Sequence, residues 1–264
     1  MSRLPFAQAY GPWAIVAGGS EGIGAAFADQ IARRGVHLVL VARRPEPLEL
    51  TAERLRRAHG VEVRTVAADL AAPAALDEIA AVAAGAAVGL VVANAAATPA
   101  GRFLDCAPGE LAAAVELNCR ASMLLARAFL PDMAGRGHGG VVFVSSLAGL
   151  QGVPGLAAYS ATKSFLISLG ESLWAELRPA GVDVLTVCAG AVATPGHQDA
   201  TRRTAPGTTS PDLVAATALG ALGRGFRVVP GTVNRVSAFA LQRLTPRRAA
   251  IAVFGRASAA TLKP

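Results

Sequence analysis

Short apolar, β-branched runs alternate along this chain with longer stretches of helical periodicity. The pattern predicts strands at 13–17, 37–41, 61–67, 88–93, 141–144, 182–188 and 226–229, and helices over 23–34, 73–84, 110–130 and 159–177. The strands are apolar almost throughout instead of at every second position, as burial on both faces requires. Strand–helix–strand alternation builds right-handed crossovers. The expected fold class is therefore α/β, a doubly wound parallel sheet of about seven strands with helices on both faces. No linker or repeat divides the sequence, so residues 1–264 read as a single domain.

Two stretches depart from the alternation. Residues 195–210, PGHQDATRRTAPGTTS, are rich in Pro, Gly and Thr and read as a mobile loop, a lid for a substrate. His197 within it reads as a solvated loop histidine. Ser210 followed by Pro211 resembles an N-cap with proline in the first helical turn. Residues 232–264 form a C-terminal helical tail in which apolar groups interleave with Arg235, Arg243, Arg247, Arg248 and Arg256, and Thr245 with Pro246 opens its second helix. Such a basic, apolar pair lines an entrance, packs in a dimer, touches a membrane surface or covers the chain's own core. No run approaches the roughly 18 apolar residues of a spanning helix.

Composition narrows the class. With 53% hydrophobic and 16% charged residues in 264, extensive disorder is excluded and a substantial core is expected. The net charge of +7 comes largely from arginine pairs scattered among helical segments. Without a zinc-finger or RNA-recognition pattern they read as solvated helix faces, and no nucleic-acid partner is expected. Cys106, Cys119 and Cys188 lack CxxC spacing and read as reduced, buried thiols. The N-terminus lacks the apolar run of a secretory signal, so the expected location is cytoplasmic. His37, His59 and His138 show no ligand spacing, and no metal is expected.

The first strand runs directly into GGSEGIG at 18–24. Gly18 permits a sharp turn, Gly22 lets backbone approach a pyrophosphate, and Gly24 allows close helix packing. Ser20 and Ile23 complete the loop. Free N–H groups and the helix dipole there favour phosphates, so a dinucleotide site on a Rossmann-type sheet is expected. The second strand ends at Ala42, where NAD-selective sites place a carboxylate for the ribose hydroxyls. Arg43 follows instead, with a guanidinium suited to a 2′-phosphate, which points to NADP(H) in preference to NAD(H). Glu21 is a counter-signal inside the loop.

Tyr159 and Lys163 lie four residues apart and so share a helix face, and Ser146 ends a strand thirteen residues before the tyrosine. A phenol of pKa near 10 is a poor base at neutral pH. A nearby ammonium and an oxidised nicotinamide would lower it. Tyr159 then donates a proton to a developing alkoxide, or removes one in the reverse direction, while Ser146 hydrogen-bonds the same oxygen.

In motif order, over roughly residues 11–196, the chain resembles the short-chain dehydrogenase/reductase family. The resemblance departs from the family pattern at Ala17, Ala96 and Ala189, none of them a reacting group. It assigns Asp69 to adenine contact, with helix capping as the alternative. Asn94 falls in its Asn-Asn-Ala-Gly signature and reads as a backbone brace at the strand end. Asn118 matches the family's catalytic asparagine, which holds a water linking the lysine to solvent. Val192 and Thr194 fall in the segment after the sixth strand, Thr194 meeting the carboxamide. Lys163 would also hold the nicotinamide ribose. The implied activity is NADPH-dependent reduction of a ketone or 3-oxo substrate, or the reverse alcohol oxidation. Within the family, Glu21, LVARRPEPLE and the long tail resemble the 3-oxoacyl-thioester and 17β-hydroxysteroid reductase branches, which implies a lipophilic carbonyl substrate, and relatives assemble as homodimers or homotetramers. Peripheral membrane contact stays open. A non-catalytic NADP(H)-sensing protein on the same fold is the alternative, opposed by the intact Tyr159 and Lys163.

Overall fold

A computed structural model describes residues 4–194 and 207–261. After a short helix α1 (Phe6–Tyr10), seven parallel strands form one sheet in the order β3-β2-β1-β4-β5-β6-β7. They are β1 (Trp13–Ala17), β2 (His37–Ala42), β3 (Val63–Ala67), β4 (Val88–Ala93), β5 (Gly139–Ser146), β6 (Val182–Ala189) and β7 (Arg227–Val228). The chain leaves β1 toward β2 and returns on its other side at β4. That reversal opens a crevice beyond the carboxyl ends of β1 and β4, where ligands settle in doubly wound sheets.

Burial on both faces explains the near-continuous apolar strands. Ala14 and Val16 point into one core with Phe27 and Ile31 of α2 (Gly22–Ala32), Leu48 and Leu55 of α3 (Pro45–His59), and helix α8 (Pro211–Ala221). Ile15 and Phe143 point into the other, against Ile79 of α4 (Ala75–Val82), Leu125 and Met133 of α6 (Ser122–Arg136), and Leu166 of α7 (Ala157–Leu177). Each fully buried side chain of this size stabilises the fold by about 1.5–3 kcal/mol. Between the two layers the central strands β1 and β4 carry apolar side chains and glycine only, while buried polar residues such as Ser145 and Thr186 enter on β5 and β6.

The helix predicted over 110–130 is three pieces. Helix α5 (Pro108–Val115) passes through a π-helical segment, Glu116–Ala121, into α6, which runs through Pro131 to Arg136. Gly137 at φ +77° ends it. Burial of Leu130 and Met133 against the sheet outweighs the helix-breaking tendency of Pro131.

Of the segment read as a lid, 195–206 lies outside the described residues, as does His197. Its ends are pinned together: Val192 bridges Thr209 in parallel, with Ala193 N donating to Thr209 O at 2.9 Å. Ser210 caps α8 as expected, its Oγ accepting from Leu213 N at 3.2 Å. The tail forms α9 (Thr232–Arg243) and α10 (Arg247–Thr261). Its inner side covers the chain's own core, where Ala238 and Phe254 join Leu147, Leu150, Ile167 and Cys188. Arg247 donates to Leu150 O at 3.0 Å. The cysteines correct the sequence reading in part: all three are free, but only Cys188 is buried, and Cys106 and Cys119 are partly exposed.

Candidate active site

The glycine loop is built by contacts that admit no side chain. Gly18 sits at φ +72° and donates its N–H to Val41 O at 2.7 Å. A Cβ on Gly24 would lie 1.9 Å from Gly18 O, so the first turn of α2 presses directly on the loop. A Cβ on Gly22, at φ +58°, would lie 3.0 Å from Thr194 Cγ2, which brings the segment after β6 against the loop. Asn94 Nδ2 donates to Ala17 O at 3.2 Å and Gly18 O at 3.3 Å. It is therefore the brace expected, tying β4 to the loop across the crevice. Thr51 of α3 pins the loop from the far side, its Oγ1 donating to Ser20 O at 2.8 Å. Ile23 lies in the first turn of α2, whose N–H groups open toward the crevice. The donor set fits a pyrophosphate.

Arg43 is exposed immediately after β2 and makes no ion pair among the described residues. Its neighbour Arg44 takes Glu21, at 2.8 Å. The acidic residue in the loop is thus neutralised by one arginine, and the other is left for an anion. Asp69 is exposed after β3, where Oδ1 accepts from Ala71 N at 3.0 Å. It caps the turn leading toward α4 and keeps its second carboxylate oxygen. The strand order sets Arg43 and Asp69 on neighbouring strand ends, on the β2–β3 side of the crevice.

On the other side stand Ser146 and Tyr159. Ser146 ends β5 and its Oγ accepts from Ala148 N at 3.1 Å, capping the short 3-10 turn Leu147–Leu150. The side chains of Ser146 and Thr98 are the polar neighbours that act on the Tyr159 hydroxyl. Burial is the largest influence on this phenol and pushes it above its usual 10, while those two side chains pull it back.

Lys163 is buried beneath the tyrosine, 2% exposed, with Nζ donating to Val144 O at 2.9 Å and lying 5.6 Å from the Tyr159 ring centroid. Burial depresses the ammonium to about 8, against a small opposing influence of the Cys119 thiol. Two contacts fix its backbone. Ser145 Oγ donates to Lys163 O at 2.8 Å, and Gly149 packs so closely that a Cβ would lie 2.7 Å from the Lys163 carbonyl carbon. The turn carrying Ser146 and the helix carrying Lys163 are therefore one rigid unit.

Asn118 lies fully buried in the π-helical segment. Its Oδ1 accepts from Ala97 N at 2.8 Å, and its Nδ2 donates to Ala97 O at 2.8 Å and Thr162 Oγ1 at 2.9 Å. The widened turn places this amide between the strand-end segment and α7. It holds the backbone next to Thr98 rather than touching the lysine head group. Val192 is buried at the bridge to Thr209.

Four contributing residues escaped the sequence reading: Thr51, Thr98, Ser145 and Gln151. The last is 3% exposed, follows the Leu147–Leu150 turn, and buries an Nε2 with no hydrogen-bond partner. None carried a signal, since Thr51, Thr98 and Ser145 act on segments distant in sequence and Gln151 is buried only by the fold.

A family profile described as short chain dehydrogenase matches residues 12–205. A very-long-chain 3-oxoacyl-CoA reductase of Podospora anserina is 35% identical over 218 residues, 81% of this chain. The match spans only 64% of the length of that relative. A 7beta-hydroxysteroid dehydrogenase of Mediterraneibacter gnavus is 29% identical over 239 residues, 87% of this chain and 90% of its own. Among solved structures, a 7beta-hydroxysteroid dehydrogenase superposes with a TM-score of 0.89 at 26% identity, covering 96% of this chain and 100% of its own. A short-chain dehydrogenase from Sphingobium yanoikuyae in complex with NADPH superposes with a TM-score of 0.77 at 32% identity, covering 88% and 94%.

Proposed function

The chain belongs to the short chain dehydrogenase family, and on that premise we propose that it is an NADPH-dependent reductase of a lipophilic ketone or 3-oxo substrate, able to run backward as an alcohol dehydrogenase. The observation that carries this reading is Tyr159 set beside Ser146 over the buried Lys163, whose Nζ lies 5.6 Å from the Tyr159 ring centroid and donates to Val144 O, at the rim of the crevice that holds the glycine loop.

Gly18, Ser20, Gly22, Ile23 and Gly24 present backbone to the pyrophosphate, Arg43 meets the 2′-phosphate, and Asp69 offers its remaining oxygen to the adenine edge. Asn94 braces the loop, and Val192 and Thr194 face the carboxamide end. NADPH, when bound, supplies the hydride. A phenol held above its usual pKa keeps its proton until an alkoxide forms, so Tyr159 acts as the general acid. Ser146 orients the carbonyl oxygen. Lys163, held by Val144 O, places a positive charge under Tyr159 and favours the phenolate left after proton transfer. Asn118 is a positioning residue that fixes Ala97 and the neighbouring Thr98. In this reading it also completes the proton relay.

The turn after Ser146 is backed by an apolar core in which Leu147 and Leu150 pack with Ala238 and Phe254. The reductase and dehydrogenase relatives named above act on lipids by their names. Exposed Phe103, Leu104, Val115, Met123 and Phe165, on and around α5, α6 and α7, suit burial in a homodimer or homotetramer. The same reading sets the enzyme in the cytoplasm, where free cysteines persist. Among the described residues no helix is long and apolar enough to cross a membrane.

The test is NADPH oxidation against ketones, 3-oxoacyl thioesters and steroids. The Tyr159→Phe variant is expected to lose about a thousandfold in kcat while still binding NADPH. Full activity in that variant would remove the proton-donor role.

A further inference from the structure

The outer side of the C-terminal helix pair combines exposed apolar residues with arginine as its charged residue. Along α9, Asn234 and Ala238 face inward, and the opposite side carries Val233, Val236 and Phe239, each about three-fifths exposed. Leu244, at the junction with α10, is 72% exposed, and Val253 of α10 is 48% exposed. Val233, Val236 and Phe239 recur at every third position and so form a stripe along α9. Isolated exposed apolar residues are ordinary, but a stripe is not.

The charges around the stripe have one sign. After Asp212 the sequence contains no Asp or Glu. Arg235, Arg243, Arg248 and Arg256 are all exposed and make no ion pair among the described residues. The exposed apolar group around α5–α7 differs: Arg102 pairs with Asp105 and Arg120 with Glu116 beside it. A mixed-charge rim accommodates another copy of the chain. An all-basic rim would set arginine against arginine across a two-fold contact.

We propose that the outer face of α9 and α10 docks on an anionic lipid bilayer, with Val233, Val236, Phe239, Leu244 and Val253 entering the headgroup boundary and the four arginines meeting lipid phosphates. Amphipathic helices with arginine on the polar side lie in the interface plane in this way. The inner face of the same helices packs on the turn after Ser146 through Phe254 and Arg247. Docking would thus hold the wall of the candidate site near the membrane surface. The proposal stands apart from the reductase reading, because its readout needs neither substrate nor nucleotide.

The full chain would be sedimented with vesicles of phosphatidylcholine alone and of phosphatidylcholine with phosphatidylglycerol, and its mass in solution followed by analytical ultracentrifugation. The expected result is co-sedimentation with the anionic vesicles only, weakened by salt. Val236→Ser with Phe239→Ser should weaken it at least about tenfold without changing the oligomeric mass. Replacing Arg235, Arg243, Arg248 and Arg256 by Gln should abolish the preference for anionic lipid while leaving the apolar stripe intact, which keeps the test decisive if the serine variant misfolds. Failure of the unaltered protein to bind, or equal binding to both vesicles, would overturn the proposal. So would a serine variant that folds but loses a subunit, since the face would then belong to a second copy.

Discussion

Gly24 and Gly255 each set a helix against a neighbouring segment, but the space beside them differs. In α2, Gly24 lies where a Cβ would meet the backbone oxygen of Gly18 at 1.9 Å. In α10, Gly255 lies where a Cβ would meet only the Pro154 ring, at 3.0 Å. The contrast holds for the regions around them. From the glycine loop to α7, side chains are tied to backbone: Asn94 to Ala17 and Gly18, Asn118 to Ala97, Ser145 and Lys163 to carbonyls. The C-terminal pair is held by a few apolar contacts, by Arg247 on Leu150 O and by Asn234, whose Nδ2 donates to Gly207 O at 3.0 Å, and it leaves an apolar stripe outside. Chemistry that needs fixed distances is built where geometry is over-determined, and surface specificity is built where it is not.

The sharpest way to break this comparison is to add one methyl group to each helix. Gly24→Ala should cost about 3 kcal/mol and weaken nucleotide binding by roughly a hundredfold, because backbone must move. Gly255→Ala should change stability by less than about 1 kcal/mol, the helical gain of alanine offsetting the tight contact. Thermal unfolding of both variants decides it, and equal losses would erase the distinction.

A second expectation concerns the buried ammonium. Lys163 and Lys263 are the only lysines, so lysine-selective 13C labelling gives two side-chain signals, assigned with Lys163→Met. The Lys163 signal should titrate near 8. The unfolded chain, with a lysine near 10.5, binds more protons between those values than the folded one. Stability contributed by this site therefore rises with pH from about 8 to 10.5. A midpoint near 10.5 would mean that the site is wet. The smallest expected effect is Gln151→Leu, which removes a buried unpaired donor and should stabilise the protein by about 1 kcal/mol in urea unfolding.

How much was legible in the sequence follows the same division. The parallel sheet could be read because strands buried on both faces must be apolar throughout, and the glycine loop because only glycine satisfies φ of +72° and +58° there. Tyr159 and Lys163 could be paired by helical spacing alone. Thr98, Thr51 and Ser145 could not, since a threonine or serine acquires its partner only when distant segments meet. The burial that raises the Tyr159 pKa is unwritten for a related reason, since it exists only once the segments around α7 have packed. The break of the predicted 110–130 helix at Asn118 is a backbone choice stabilised by Ala97, and helical periodicity reads straight through it. For the tail, composition showed an amphipathic basic pair but left open which side was covered.

The central claim, an NADPH site with Arg43 as its selector, is tested most directly by titrating the protein with NADPH and NADH and following nicotinamide fluorescence. The account predicts tighter binding of NADPH, with Arg43→Ala weakening NADPH by about tenfold or more and leaving NADH unchanged. Tighter binding of NADH, or an Arg43→Ala variant that binds NADPH as well as the unaltered protein, would contradict it.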